Sequence, residues 1–291
     1  MTDHTEHRSG SENAGGAHAT RHSFALLCAI EARRALSRRA VWVLVAIALA
    51  GIVLTGVIAF LGSNDFDPRK PDLDIARLTD LWVQGGGDGA LSATLIFLAV
   101  GAIIGGATVT GAEWQHGTVV TVCTWEVRRA RLLLARIPSA SVLAFVIGMG
   151  LLVLFCLSLV PTYLLRGTTA GADADFWVDL ASAIGRISTL TAIAAATGAA
   201  VASIGRRTTV AIGAAFAYLA VLETTVRAVW PERGRWLIGE NAAVLVTAAD
   251  LEGAEFTRSV ATAAVTLCGY VAVLVAVAVL LFRRRDLAST A

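Results

Sequence analysis

The feature that most constrains this chain is a set of long stretches without a charged residue. There are six, at 41–64, 89–112, 137–165, 187–205, 208–222 and 259–282. A helix needs about 20 apolar residues to cross the hydrocarbon core of a bilayer. Charged types make up only 16% of the 291 residues, whereas soluble domains carry roughly 25%. The sequence therefore predicts a membrane protein and argues against an ordinary soluble enzyme.

These runs predict an all-α fold, a polytopic integral membrane protein with six transmembrane helices. The helices are expected at about 41–62, 90–112, 139–163, 183–205, 209–229 and 260–282, within a transmembrane domain over 41–286. The run 208–222 is short for a span, so its helix must continue through Glu223 toward Trp230. A further apolar stretch, 242–249, is too short to span and is expected to form an interfacial or re-entrant helix.

The distribution of basic residues predicts the orientation of these helices. With a cytoplasmic amino terminus, the cytoplasmic connections carry 15 of the 24 basic residues and the outer connections carry 8. Arg186 lies inside a span. Because basic residues concentrate in cytoplasmic connections, we expect both termini to be cytoplasmic. The chain is therefore expected to be a multi-pass protein of the cell membrane.

The residues before the first span divide into two parts. Residues 1–22 are rich in Ser, Gly, Thr and His and are expected to form a disordered cytoplasmic tail. Residues 23–40 place Phe24, Leu27 and Cys28 on one side at helical spacing, followed by a group of arginines. This pattern predicts an amphipathic juxtamembrane helix in the headgroup layer. A basic cluster that only fixes topology explains the arginines equally well.

The sequence contains no motif for catalysis or for nucleotide binding. GxSxG and HExxH are absent, and His116 is the only histidine outside the N-terminal tail. A P-loop requires GxxxxGK[ST], whereas the only lysine, Lys70, stands between Arg69 and Pro71. The four cysteines form no CxxC pair. We therefore expect no enzyme activity, no metal and no cofactor in this chain, and no basic face for nucleic acid.

Two charged residues lie at membrane depth, Arg186 in the fourth span and Glu223 in the fifth. Each costs about 2.5–3.5 kcal/mol at the bilayer centre on insertion scales, and less near the interface. Arg186 is expected either to extend its guanidinium toward the interface or to face inward, in a substrate path or an Arg–Glu pair. Both residues are therefore candidate intramembrane polar sites.

Small residues are dense in two of the spans. Gly101 and Gly105 form a GxxxG pattern with Gly106 beside it, and Gly198 lies among alanines in the fourth span. Such faces let helices approach closely. The pattern predicts a tightly packed bundle and is compatible with a dimer.

The most informative segment follows the second span. Glu113 is followed four residues later by Gly117 and Thr118, then by an apolar stretch, and then by Arg128 and Arg129 ahead of the third span. An amphipathic cytoplasmic helix between two spans can act as a lever for a soluble domain that grips it. The same arginines would also serve simply to enforce a cytoplasmic location.

This segment resembles the type-2 permeases of ATP-binding-cassette (ABC) exporters. Arg136 before the third span and Glu31 before the first also match that family, although its proline near 126–127 is absent here. The resemblance implies that Glu113 ends the second span and that Gly117 and Thr118 begin a coupling helix. It also implies that this helix, together with Arg128 and Arg129, contacts an ATPase.

The resemblance also implies a function and a set of partners. The chain would be the permease of an export system, paired with a second permease copy or a homologue. A separate P-loop ATPase would hold ATP and Mg²⁺ and drive transport of a substrate that the sequence does not identify. Two other classes stay open: a polytopic scaffold or sensor subunit that transports nothing, and a membrane-embedded enzyme.

Overall fold

The computed structural model describes residues 24–63, 77–82, 89–115, 129–248 and 258–284, with the side chains of 113–115 and 129 excepted. Within these ranges the chain is helical and contains no strand. Six helices are long and apolar enough to cross a membrane. The described residues thus confirm an all-α chain with six helices that are long and apolar enough to span a membrane, while the predicted tail 1–22 lies outside them.

The helices are named here in chain order. Helix α1 covers 24–36. The long helices are α2 (Arg39–Gly62), α3 (Ala90–Gln115), α4 (Arg129–Arg166), α5 (Ala174–Gly205), α6 (Thr208–Val229) and α8 (Val260–Arg284), with the short α7 (Ile238–Thr247) before the last. The proximal end of the bundle holds α1, the start of α4 and residues 206–208. The distal end holds residues 77–82, 167–173 and 230–237.

Two of the long helices start earlier than the sequence predicts. Helix α4 begins at Arg129 and runs through Pro138, whereas the span was expected from 139. Helix α5 begins at Ala174 and not near 183, because Asp173 caps it: the Asp173 Oδ1 accepts the backbone N–H of Phe176 at 3.0 Å. The additional turns carry the charged residues that had been assigned to connections.

Helix α5 forms the centre of the bundle. About two thirds of its apolar stretch (67%) is buried, against 6% for α2 and 11% for α6. It packs against α3, α4, α6, α7 and α8, while α2 rests mainly on α4. At the distal end, the turn Leu78–Leu81 inserts into the largest apolar cluster, beside the start of α5. The outer helices therefore leave most of their apolar surface exposed in the isolated chain.

A close backbone contact joins α3 to α5 through two glycines. A methyl group on Gly106 would overlap the Ala195 carbonyl, and one on Gly198 would overlap the Ile103 carbonyl. The backbones of the two helices are therefore in direct contact. The predicted close approach occurs, but the GxxxG glycines do not make it: Gly101 faces open space.

We predict that Gly106→Ala and Gly198→Ala destabilise the protein by roughly 1–3 kcal/mol each, because the added methyl groups must push the two helices apart. The matched control is Gly101→Ala in the same helix, where the new methyl group meets open space. Thermal unfolding of the purified proteins in detergent measures the difference. Equal unfolding temperatures for all three variants would contradict the α3–α5 contact.

Candidate functional site

The residues that the sequence singled out separate to the two ends of the bundle. Glu113 lies in the last turn of α3 and Arg129 opens α4, both at the proximal end. Gly117, Thr118 and Arg128 lie outside the described residues. Arg186 and Glu223 lie in the distal halves of α5 and α6. The two ends are described in turn.

A buried ion pair joins α1 to α4 at the proximal end. The Arg136 Nε donates to the Glu31 Oε2 at 3.0 Å, and only 7% and 3% of the two side chains are exposed. Arg34 donates from Nη1 to the other carboxylate oxygen of Glu31 at 3.2 Å. Burial of charge is tolerated only where the charges are paired and hydrogen-bonded. This pair therefore fixes the position of α1 against the first turns of α4.

Three further contacts join α1 and the start of α2 to α3 and α4. The Ser139 hydroxyl donates to the Cys28 carbonyl at 3.0 Å, and the Arg38 Nη1 donates to the Thr108 carbonyl at 2.8 Å. A small apolar cluster adds a third contact, in which Ala35 of α1 packs with residues of α3 and α4. The helices that flank residues 116–128 are thus both attached to the segment before the first span.

These contacts hold α1 against both α3 and α4 at the proximal junction. Among the described residues, no group of three His, Cys, Asp or Glu side chains could hold a metal ion.

At the distal end, Arg186 interacts with the backbone of α7. Its Nε donates to the Val246 carbonyl at 3.1 Å, and its guanidinium carbon lies 5.8 Å from the centre of the Trp82 ring. The sequence left open whether Arg186 extends toward the interface or faces inward, in a substrate path or an Arg–Glu pair, and the contacts given above do not include Glu223. Arg186 donates to a carbonyl in the last turn of α7, where helix carbonyls have no partner within the helix itself.

Glu223 is buried and caps the start of α7 from a neighbouring helix. Its Oε2 accepts the backbone N–H of Gly239 at 3.1 Å, and its Oε1 accepts from Arg227 Nη2 at 3.3 Å. Arg227 also lies 2.8 Å from the Glu240 carboxylate. The negative carboxylate therefore sits at the positive end of the α7 dipole.

Tyr218 completes this cap. Its hydroxyl oxygen accepts the backbone N–H of Ile238 at 3.1 Å. Leu237, at the N-cap position of α7, has no side-chain acceptor to offer. Two of the backbone donors that every helix leaves unpaired at its start are thus satisfied by side chains from α6.

A π-helical segment in α6, Tyr218–Glu223, brings the two capping side chains together. In a regular α-helix, residues five apart would point about 140° apart around the axis. A π-helical turn instead pairs residues i and i+5 along the axis, so Tyr218 and Glu223 lie on the same side. The Glu223 carboxylate also leaves no space for a side chain at Gly239, where a methyl group would overlap it.

Sequence reasoning identified Glu223 but missed both Tyr218 and Gly239. The available signal was local. Helix α7 begins after Leu237, a residue type that cannot cap a helix, so the unpaired backbone N–H groups at its start needed acceptors from another segment. Likewise Glu31 and Arg136 were both noted in the sequence, but nothing in their separation of 105 positions indicates that they pair.

Comparison with protein-family models and with curated protein sequences gives no match. Any functional assignment therefore depends on the residues and contacts described above.

We predict that Glu31→Leu destabilises the protein by about 3–5 kcal/mol, because it leaves the Arg136 charge buried without its partner. The double variant Glu31→Leu/Arg136→Met should be less destabilised than the single variant, since two apolar side chains can replace a buried pair. Arg34→Gln serves as a control because 43% of the Arg34 side chain is exposed. Thermal unfolding tests this, and strictly additive effects of the two substitutions would contradict the pairing.

We further predict that Gly239→Ala loosens α7, because the added methyl group displaces the Glu223 carboxylate from the Gly239 amide. Glu223→Gln should be milder, since the amide oxygen can still accept a hydrogen bond. The measurement is hydrogen–deuterium exchange of peptides that cover 238–247, with Gly213→Ala in α6, a site with open space, as the control. Unchanged exchange in Gly239→Ala would contradict the capping role.

Proposed function

We propose that this chain is the permease of an ABC-type export system, powered by ATP hydrolysis in a separate P-loop ATPase subunit. The observation that carries the proposal is the proximal junction. The segment that resembles an ABC coupling helix, Glu113 to Arg136, begins and ends on two long helices, and α1 is attached to both of them by buried contacts. A lever needs such an attachment to transmit movement.

We place the proximal end and both termini in the cytoplasm. Phe282, near the end of α8, packs against Leu133 and Ile137 of α4, so the end of α8 lies beside the proximal junction. Arginines are concentrated at this end, at 33, 34, 38, 39, 129, 131, 136, 206, 207, 283 and 284. The positive-inside rule therefore supports a cytoplasmic location in a cell-membrane protein.

The sequence supports a source of energy for transport that lies in another subunit. The chain has no P-loop, and its single lysine lies in a connection that is assigned to the outer side. ATP and Mg²⁺ would therefore be bound by the partner ATPase, and Gly117, Thr118, Arg128 and Arg129 would form the contact with it. No catalytic residue is assigned to this chain.

A second permease copy, or a homologue, completes the proposed transporter. Helices α2 and α6 are almost unburied in the isolated chain, 6% and 11% respectively, and therefore offer apolar faces that a second copy can cover. The substrate would pass along the interface between the two copies. Its chemical identity is not part of the proposal.

We predict that Gly117→Pro abolishes stimulation of the partner ATPase and transport while the chain still inserts, because proline removes a backbone donor and restricts the turn at the start of the coupling helix. Charge reversal of Arg128 and Arg129 should weaken assembly. The double variant Arg128→Lys/Arg129→Lys should keep the topology and lose part of the coupling, since lysine lacks the planar guanidinium fork.

The decisive measurement is the ATPase rate of the complex co-purified from native membranes and reconstituted, with insertion checked by single-cysteine labelling at Ser37, an exposed residue between α1 and α2. Variants that insert, assemble and stimulate the ATPase like the parent would remove the coupling role. Purification with no P-loop ATPase under conditions that preserve other membrane complexes would favour the scaffold or sensor alternative, and turnover by the chain alone would favour the enzyme.

A further inference from the structure

An apolar groove of about 560 Å³ lies between α2 and α3, with α4 and α5 as its floor. It extends along α2 from Val41 to Thr55 and along α3 from Ala93 to Val109, and none of the described residues that line it is charged. The groove exists because α2 packs on α4 and touches α3 only briefly. Its open side lies on the outer surface of the isolated chain.

The floor and walls of the groove are shaped for an apolar occupant. Gly51 and Gly101 leave open space where other residues would place a side chain. The hydroxyls of Thr94 and Thr191 donate within their own helices, to the Leu91 and Ile187 carbonyls. The groove thus offers space and apolar contact but few hydrogen bonds to a polar molecule.

Helix α1 lies at the proximal end of the groove, because its Ala35 packs with Val109 and Ala140, two residues that line the groove. Helix α1 and the start of α2 form a basic corner at this end. Arg33 and Arg39 are exposed there, and the one acidic side chain in the described part of this corner, Glu31, is buried in its ion pair. Trp42 is 59% exposed and donates its Nε1–H to the Leu36 carbonyl. Exposed arginines and tryptophan mark the headgroup level of a membrane.

The length of the groove matches a lipid that starts at this level. From Val41 to Thr55 the helix rises about 21 Å, at 1.5 Å per residue. One leaflet contributes about half of the roughly 30 Å hydrocarbon core. A chain anchored at the basic corner would therefore remain inside the groove over the full depth of its leaflet.

We infer that this groove binds one anionic phospholipid of the surrounding bilayer. An acyl chain lies between α2 and α3, and the phosphate lies at the corner that contains Arg33 and Arg39. The lipid fills the space that the divergence of α2 from α3 leaves open and holds α2 in place. This inference goes beyond the proposed transport function and does not depend on an ATPase partner.

The test measures lipid binding to the purified full chain by native mass spectrometry and by the shift in its unfolding temperature. Phosphatidylglycerol, phosphatidylcholine with the same acyl chains, and inorganic phosphate are added separately. Phosphatidylglycerol should bind most tightly and raise the unfolding temperature most, and inorganic phosphate should give no shift. Equal effects of the two lipids, or a comparable shift with phosphate alone, would overturn the inference.

Variants locate the site. Gly51→Leu and Gly101→Leu fill the groove and should weaken phosphatidylglycerol binding about tenfold, the loss expected when roughly two methylene groups are no longer buried. Gly150→Leu is the matched control, because it also places its side chain in open space but lies outside the groove. Parent-like binding by both groove variants would show that the chain does not lie there.

The headgroup contact is tested by the double variant Arg33→Gln/Arg39→Gln. It should retain binding of both lipids and lose the preference for phosphatidylglycerol over phosphatidylcholine. An unchanged preference would overturn the placement of the phosphate at this corner. Both arginines are exposed, so the variant is expected to fold like the parent.

Discussion

Because a hydrocarbon core contains no water, the backbone groups at which this chain departs from regular helix need hydrogen-bond partners from the protein itself. A backbone group left unpaired there carries a large free-energy penalty, so every helix end near the membrane needs a partner. Arg166 donates to the Phe60 carbonyl at 2.6 Å, and Tyr270 donates to the Trp236 carbonyl at 2.7 Å. Both carbonyls lie at the ends of helical segments. The polar side chains of the spans are thus used to complete the backbone, and the cap that α6 provides for α7 is the fullest case.

The sequence was sufficient for the number and type of the long helices, because freedom from charge over about 20 residues is a property of each segment alone. It was not sufficient for features that join distant segments. Nothing in the local pattern distinguishes Gly106, which touches α5, from Gly105, which faces the groove, because the difference is set by how α3 is rotated against its neighbours. Glu223 stood out as a charge at membrane depth, but its partner Gly239 carries no charge, and the only indication of their contact was that Leu237 cannot cap α7.

The two ion-paired regions of the described chain differ in what they can do. Arg227 pairs with Glu223 and Glu240 while 58% of its side chain is exposed, so solvent weakens that contribution and the backbone cap is the stronger part of the site. The Glu31–Arg136 pair is buried on both sides. A buried pair adds little net stability relative to apolar residues, but it tolerates only one arrangement of its two helices. Its effect is therefore to fix where α1 lies against α4.

This distribution of contacts determines where movement can occur in the proposed transporter. A load applied to residues 116–128 reaches α3 and α4, and α1 follows because of the ion pair. Helix α3 cannot slide independently of α5, because their backbones touch at Gly106 and Gly198 and any shift must open that contact. The core helices therefore respond as one body, since packed cores do not deform continuously. The largest displacement is then expected between whole permease copies, along the exposed faces of α2 and α6.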